Sequence, residues 1–357
     1  MNTIREDRFY DTEVPFIKCI GTPREIGLAH GSGAKDRISK CIAIYTELYK
    51  LTAGIDWDEA KEKAAKFKPY IQQHFPDLIE EMEGIAEGAN RDVLDILTLN
   101  FRSEIVLTNY SDGCTSIATY NEELDETYVG QNWDWIPEMK AGSVVLDIQK
   151  KNCPRIILCT EAGIIGKSGF NGDGVGLVLN ALKCGKMALK LPIHCLLRLA
   201  LESSSVDEVE KLFFEYGCAS CANVMVADRS NCLKSFEITP LGVAVIEPTG
   251  GVVLHTNHLF ADVRFVQDFP SPNSFSRLER IRELSKDAPH TIASMRERFS
   301  DLDNEPYSIC RAFIPGAVGV ESMITLMTII MNVSRNEGEV SYGRPAENPK
   351  VYRLFFD

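Results

Sequence analysis

Long apolar runs, an excess of basic charge and paired metal-type cysteine motifs are all missing from this 357-residue chain. Lys and Arg total 38 against 51 Asp and Glu, a formal net charge of −13. Phosphate backbones are held by Lys and Arg displacing counterions, so this balance excludes nucleic acid as the expected partner, and no basic tail offsets it. No stretch approaches the roughly 18 uninterrupted apolar residues of a membrane-spanning helix. Met1 to Tyr10 is charged and polar, without the apolar centre of a secretory signal, and Arg353 to Asp357 is not a peroxisomal address; the cytosol is the expected compartment. Repeats, low-complexity tracts and Pro/Gly/Ser linkers are also lacking, which predicts one domain over residues 1–357.

The 11 cysteines are scattered from Cys19 to Cys310 without the spacing of a disulfide scaffold, and most read as small buried apolar residues in a reducing compartment. Cys218 and Cys221 form one Cys-x-x-Cys with no second pair, so packing at a helix-to-strand junction is the reading there, and no metal site is expected.

Helical signals dominate the first 113 residues. Thr22-Pro23-Arg24-Glu25 has the form of a capping box with proline at the first helical position, predicting a helix to about Leu51. Helical spacing recurs over 77–89 and 92–107. After that the texture changes to short β-branched or aromatic runs at 114–120, 128–135, 143–149 and 155–160, with Asn171-Gly-Asp-Gly174 as a turn. Helices are predicted again at 191–202, 206–216 and 275–284, and strands at 223–227, 233–238, 252–258, 323–332 and 351–355. Strands in runs with helices before and between them predict an α+β fold of layered sheets rather than a parallel doubly wound one.

Asp112-Gly113-Cys114-Thr115 stands at the change of texture. Glycine leaves its carbonyl unshielded and its backbone free, as attack by the Cys114 thiol on the Gly113 carbonyl requires. Scission there gives Cys114 an α-amino group with an ordinary pKa of about 7.7 to 8.0, able to act as base for its own thiol. Two polar segments lie in otherwise strand-like runs. In Gln131-Asn-Trp-Asp-Trp135, Asp134 is a candidate to orient or charge the new amine and Asn132 to hold substrate; in His255-Thr-Asn-His258, Asn257 is a candidate oxyanion donor.

These segments, with Gly21-Thr-Pro-Arg-Glu-Ile-Gly27, His30-Gly31, Thr160-Glu-Ala-Gly-Ile-Ile-Gly-Lys167, Pro306-Tyr-Ser-Ile-Cys-Arg311 and Gly343-Arg-Pro345, make nearly the whole chain resemble the isopenicillin N acyltransferase (acyl-CoA:6-aminopenicillanate acyltransferase) family of cysteine N-terminal-nucleophile enzymes. The resemblance implies an αββα sandwich with an N-terminal helical segment. It also implies self-cleavage between Gly113 and Cys114 and association of the fragments 1–113 and 114–357. Cys114 is implied as the acyl-carrying nucleophile, Asn257 as oxyanion donor and Asp134 as its neighbour, with Arg311 alongside Asn132 at the substrate. Acyl-CoA enters as a co-substrate and no cofactor is expected. The chain departs from the penicillin-forming members at Glu321-Ser322, where they carry Ser-Arg, and near Thr239, where they carry serine; losing that cation bears on anionic substrates. Acyl transfer to an amine and hydrolysis of a small amide, of the β-alanyl-amine hydrolase type, use the same nucleophile and stay open together. A Cys-His enzyme using His255 or His258 without self-cleavage, and a noncatalytic binding protein, are the remaining classes.

Overall fold

A computed structural model describes residues 14–106, 113–183, 185–261 and 272–356, and it opens on strand β1 (Phe16–Gly21). Seven helices then follow among the described residues: α1 (Pro23–Gly33), α2 (Lys35–Ala53), α3 (Trp57–Ala65), α4 (Lys68–His74), α5 (Pro76–Ala89), α6 (Val93–Asn100) and α7 (Arg102–Val106). The capping box forms: the Thr22 hydroxyl accepts from the Glu25 amide at 3.3 Å and the Glu25 carboxylate from the Thr22 amide at 2.8 Å.

The single helix expected from Thr22 to about Leu51 is two, because Ala34 leaves helical geometry at φ −118°, ψ 14°. Each half answers to a different neighbour. Gly27 and Gly31 lay the α1 backbone directly on α5, where a Cβ at either position would collide with the Glu81 or Ile85 carbonyl. Helix α2 instead buries its own stripe of Ile38, Cys41, Tyr45, Leu48 and Tyr49. The helix expected over 92–107 is likewise divided between α6 and α7, and position 107 lies outside the described residues.

The second part of the chain supplies β2 (Gly113–Asn121), β3 (Glu126–Trp135), β4 (Ser143–Lys150), β5 (Ile156–Glu161), β6 (Ser168–Asn171) and β7 (Val175–Ala181). Helices α8 (Ile193–Leu201) and α9 (Val206–Tyr216) come next, then β8 (Ala222–Asp228), β9 (Leu233–Thr239), β10 (Gly242–Ile246) and β11 (Val252–His255). The chain closes with α10 (Pro272–Ser285), α11 (Ile292–Phe299), β12 (Ile324–Asn332), β13 (Glu337–Tyr342) and β14 (Val351–Phe355).

Among the described residues the strands form two sheets, ordered β1-β4-β5-β6-β7-β8-β9-β10 and β11-β2-β3-β12-β13-β14. Along β2 and β3 the side chains alternate, as a strand's period of two requires. Cys114, Ala118, Val129 and Trp133 join the core between the sheets, whereas Ile117 and Tyr128 pack with Leu278 and Ile281 of α10 and Met295 and Phe299 of α11. Helices α8 and α9 and the α1 region lie against the other sheet. The result is the expected α+β sandwich, helices outside and two sheets within.

Candidate functional site

β2 and β3 pair antiparallel from their first residues, placing Gly113 opposite Asp134 and Cys114 opposite Trp133. Alternation then divides the site between two faces. The Cys114 side chain, 1% exposed, points between the sheets; Asp134 lies on the helix-covered face beside Gly113. A Cβ added to Gly113 would stand 2.7 Å from the Asp134 carboxylate, so glycine is required there by close approach.

A bulge in β12 aims the partner of that carboxylate. The register with β3 shifts between Thr325 and Met327, and the Thr325 hydroxyl donates to Asp134 Oδ1 at 2.8 Å. The same hydroxyl accepts from the Arg311 amide at 2.8 Å, while Arg311 Nε donates to the Met323 carbonyl at 3.0 Å. Arg311 therefore reaches Asp134 through Thr325.

Asn257 comes to Cys114 because β11 ends at His255, short of the strand predicted to 258. Residues 256–258 leave the sheet to bond Ser274 of α10: the Thr256 hydroxyl donates to its carbonyl at 2.9 Å and the Asn257 amide to its hydroxyl at 2.8 Å. Asn257 Oδ1 then accepts from the Cys114 backbone N–H at 2.8 Å, and Nδ2 donates to the Ala181 carbonyl at 3.0 Å. The carboxamide thus holds the backbone nitrogen of Cys114. Asn132 lies elsewhere: both amide hydrogens go to the Phe299 and Ile309 carbonyls, at 2.8 and 3.1 Å, and its oxygen accepts from Thr328 at 2.7 Å. Its place is a tie to the outer layer.

The histidines are engaged too. His255 meets the Thr256 carbonyl at 2.8 Å through Nδ1 and Glu237 at 3.1 Å through Nε2. Burial, with the neighbouring His255 and Arg277, pushes His258 down to about 4, and its Nδ1 meets the Ser274 hydroxyl at 2.8 Å. Burial pushes the thiols of Cys19, Cys159 and Cys218 up to about 12, which leaves them chemically quiet. Cys218 is a free thiol and Cys221 is disulfide-bonded, so these two do not bridge each other.

Sequence reasoning missed two features. Arg277 of α10 is buried; its NH1 donates to the Cys114 carbonyl and to the Thr115 hydroxyl at 3.1 Å, and its NH2 to Asn257 Oδ1 at 2.9 Å. Nothing distinguishes it in a helix that also carries Arg280 and Arg282. The second lies on the thiol side. Lys167 Nζ stands 3.1 Å from the centre of the Trp133 ring, Cys114's cross-strand partner, and 2.8 Å from Glu161. Glu161 also meets Arg102 at 3.1 Å and the Tyr45 hydroxyl. Burial alone would raise its carboxyl, but the Arg102 and Lys167 cations hold it down at about 2. In the sequence Lys167 stands out only as the end of the Thr160-to-Lys167 segment that carries the resemblance.

A two-sheet sandwich that presents a cysteine at a strand start, with a carboxamide on its nitrogen and a carboxylate beside the preceding glycine, defines a class of candidate hydrolases and transferases. Residues 121–345 match the family model described as acyl-coenzyme A:6-aminopenicillanic acid acyl-transferase. The chain is 35% identical over 347 residues to the 40 kDa form of acyl-coenzyme A:6-aminopenicillanic-acid-acyltransferase of Emericella nidulans, covering 95% of this chain and 96% of that one. The chain belongs to that acyltransferase family. Among solved structures it is similar to a conjugated bile acid hydrolase of Clostridium perfringens (TM-score 0.45, 14% identity, 68% of this chain and 92% of that one). It is also similar to a penicillin V acylase of Agrobacterium tumefaciens (TM-score 0.45, 13% identity, 68% and 86%). Among the described residues, no helix is long and apolar enough to cross a membrane.

Proposed function

We propose that the chain cuts itself between Gly113 and Cys114 and then transfers acyl groups through a Cys114 thioester. The observation that carries this is the hydrogen bond from the Cys114 nitrogen to Asn257, in a site where Gly113 cannot bear a side chain. In the first step the thiol sulfur adds to the Gly113 carbonyl, the peptide C–N bond breaks and its nitrogen takes up a proton. Water then hydrolyses the thioester, leaving a Gly113 carboxylate and Cys114 with a free amine and thiol.

In turnover the amine takes the thiol proton as sulfur attacks an acyl donor, and it returns that proton to the leaving group. Asn257 Nδ2 serves as the donor to the developing oxyanion, where such a donor contributes on the order of 3 kcal/mol. An acceptor amine resolves the acyl-Cys114 thioester; with water in its place the outcome is hydrolysis. The name of the Emericella nidulans relative supports an acyl-CoA donor and 6-aminopenicillanate or a similar primary amine as acceptor. The fragments 1–113 and 114–357 stay together as a heterodimer.

The test is a time course of acyl-CoA consumption with and without 6-aminopenicillanate, for the wild type and for Cys114→Ala. The expected result is amide formation that accelerates thioester loss, abolished in the variant along with self-cleavage. Equal thioester loss with and without acceptor, with no amide formed, assigns the enzyme to hydrolysis; turnover retained by Cys114→Ala overturns the proposal.

A further inference from the structure

Arg277 is fully enclosed yet faces no carboxylate at ion-pair distance among the described residues. Burying a guanidinium without a counter-charge is costly, so its place calls for a reason. Its forked end grips what surrounds the Cys114 nitrogen: the Cys114 carbonyl on one side and, on the other, the same Asn257 oxygen that accepts from that nitrogen. Asn273 Oδ1 steadies the fork at 3.4 Å.

We propose that Arg277 is a positioning residue for the nucleophile, fixing Cys114 and Asn257 in register and, by its charge, keeping the α-amine of Cys114 unprotonated so that it works as a base near neutral pH. This rests on Cys114 becoming an N-terminus. The amine would lie between two opposed charges. Asp134, on β3, favours the ammonium form; Arg277, on α10, disfavours it, and a like charge this close lowers an amine's pKa. The other charged or titratable groups facing this region are Arg311 before β12, the Cys114 thiol itself, Cys310 near Asp134, Lys167 on the thiol side, and His258 with the His255–Glu237 pair beyond it. His258, held near 4, stays neutral over the working range and does not supply the acid limb.

The sign follows from the role. The amine must be neutral to accept the thiol proton, so activity falls as pH drops through its pKa. Removing the neighbouring cation raises that pKa and moves the acid limb of kcat/KM to higher pH, by about one unit or more. Arg277→Gln should show this shift; Arg277→Lys, which keeps the charge but not the fork, should keep the limb while losing rate. A limb that does not move in Arg277→Gln overturns the proposal.

A second measurement uses the wild type alone, in case Arg277→Gln does not mature. A small aldehyde closes a thiazolidine on an N-terminal aminothiol, and the pH dependence of that inactivation reports the amine. The expected midpoint lies below the ordinary N-terminal value of about 7.7 to 8.0; a midpoint at or above it overturns the role given to Arg277. Intact mass on the same samples separates the two levels. An uncut but active wild type removes the self-cleavage reading itself, whereas a cut enzyme with an unshifted limb removes only Arg277.

Discussion

At Gly113 a single hydrogen in place of a side chain decides whether this backbone and the Asp134 carboxylate can share one place. Gly113→Ala puts a Cβ 2.7 Å from that carboxylate, so self-cleavage should slow markedly, read as accumulation of the uncut chain on a denaturing gel; processing at the wild-type rate contradicts the close approach. Thr325 is the other small residue on which much turns, since its hydroxyl bonds both Asp134 and the Arg311 backbone. Thr325→Val removes the hydroxyl that bonds both buried groups, at a cost of about 1–3 kcal/mol for each bond lost. It should lower the denaturant midpoint and also kcat/KM; a drop in stability with kcat/KM unchanged would make Thr325 purely structural. The Gly113-Cys114 pair and the Asp134 and Asn257 neighbourhoods were legible in sequence because polar residues interrupt apolar runs. Arg277 was not, since a buried arginine and a solvated one look alike in a helix that carries several. The partners of Asn132, the Phe299 and Ile309 carbonyls and the Thr328 hydroxyl, were not legible either: a polar side chain in a strand marks a buried hydrogen-bond group without saying which face it serves.

Elements of the first 113 residues hold the loop that carries Lys167. The loop from Glu161 to Lys167 is pinned by His30 of α1, whose Nε2 accepts from the Gly163 amide at 3.0 Å, and by Asn100, which bonds the Gly163 carbonyl at 2.7 Å and the Ile165 amide at 2.9 Å. Arg102 completes the hold through Glu161, and Lys167 is thereby set on Trp133. Glu161→Gln removes the anion between two buried cations, and breaking such a pair typically costs 3–5 kcal/mol, roughly. Its denaturant midpoint should fall well below that of the wild type; an unchanged midpoint contradicts the role. Linkage gives the pH dependence. Glu161 is held at about 2 when folded against an ordinary 4.5, so its contribution is present above 4.5 and lost as pH falls toward 2. Separation of the two fragments, followed by size exclusion, should begin in that window. The α1–α5 contact is a second seam: Gly84→Val drives a side chain into the Arg24 carbonyl, and a loss of stability of about 1–3 kcal/mol is expected from denaturant titration. Periodicity showed most of these elements. It did not show the break at Ala34, which comes from glycine contacts between helices distant in sequence, nor β1, β10 and β13, which take their form from pairing with neighbouring strands.

Taken whole, the molecule joins a helical first part and a two-sheet second part across one core that draws on residues from Val14 to Leu354. Such a core would hold both pieces in place after the proposed cut at Gly113, since the loop 161–167 and the ion pair between Arg198 of α8 and Glu81 of α5 cross from one part to the other. The layer order followed from the texture of the sequence, helices first and strand runs after. Which sheet end would gather the site did not, because pairing register and the bulge in β12 are set by contacts between strands nearly 200 residues apart. Intact-mass and N-terminal sequence measurement of the purified, catalytically active protein tests the central claim most directly. Two chains are predicted, residues 1–113 and 114–357, the second beginning with an unblocked Cys114. Full activity from a single unbroken chain of 39.8 kDa would contradict it.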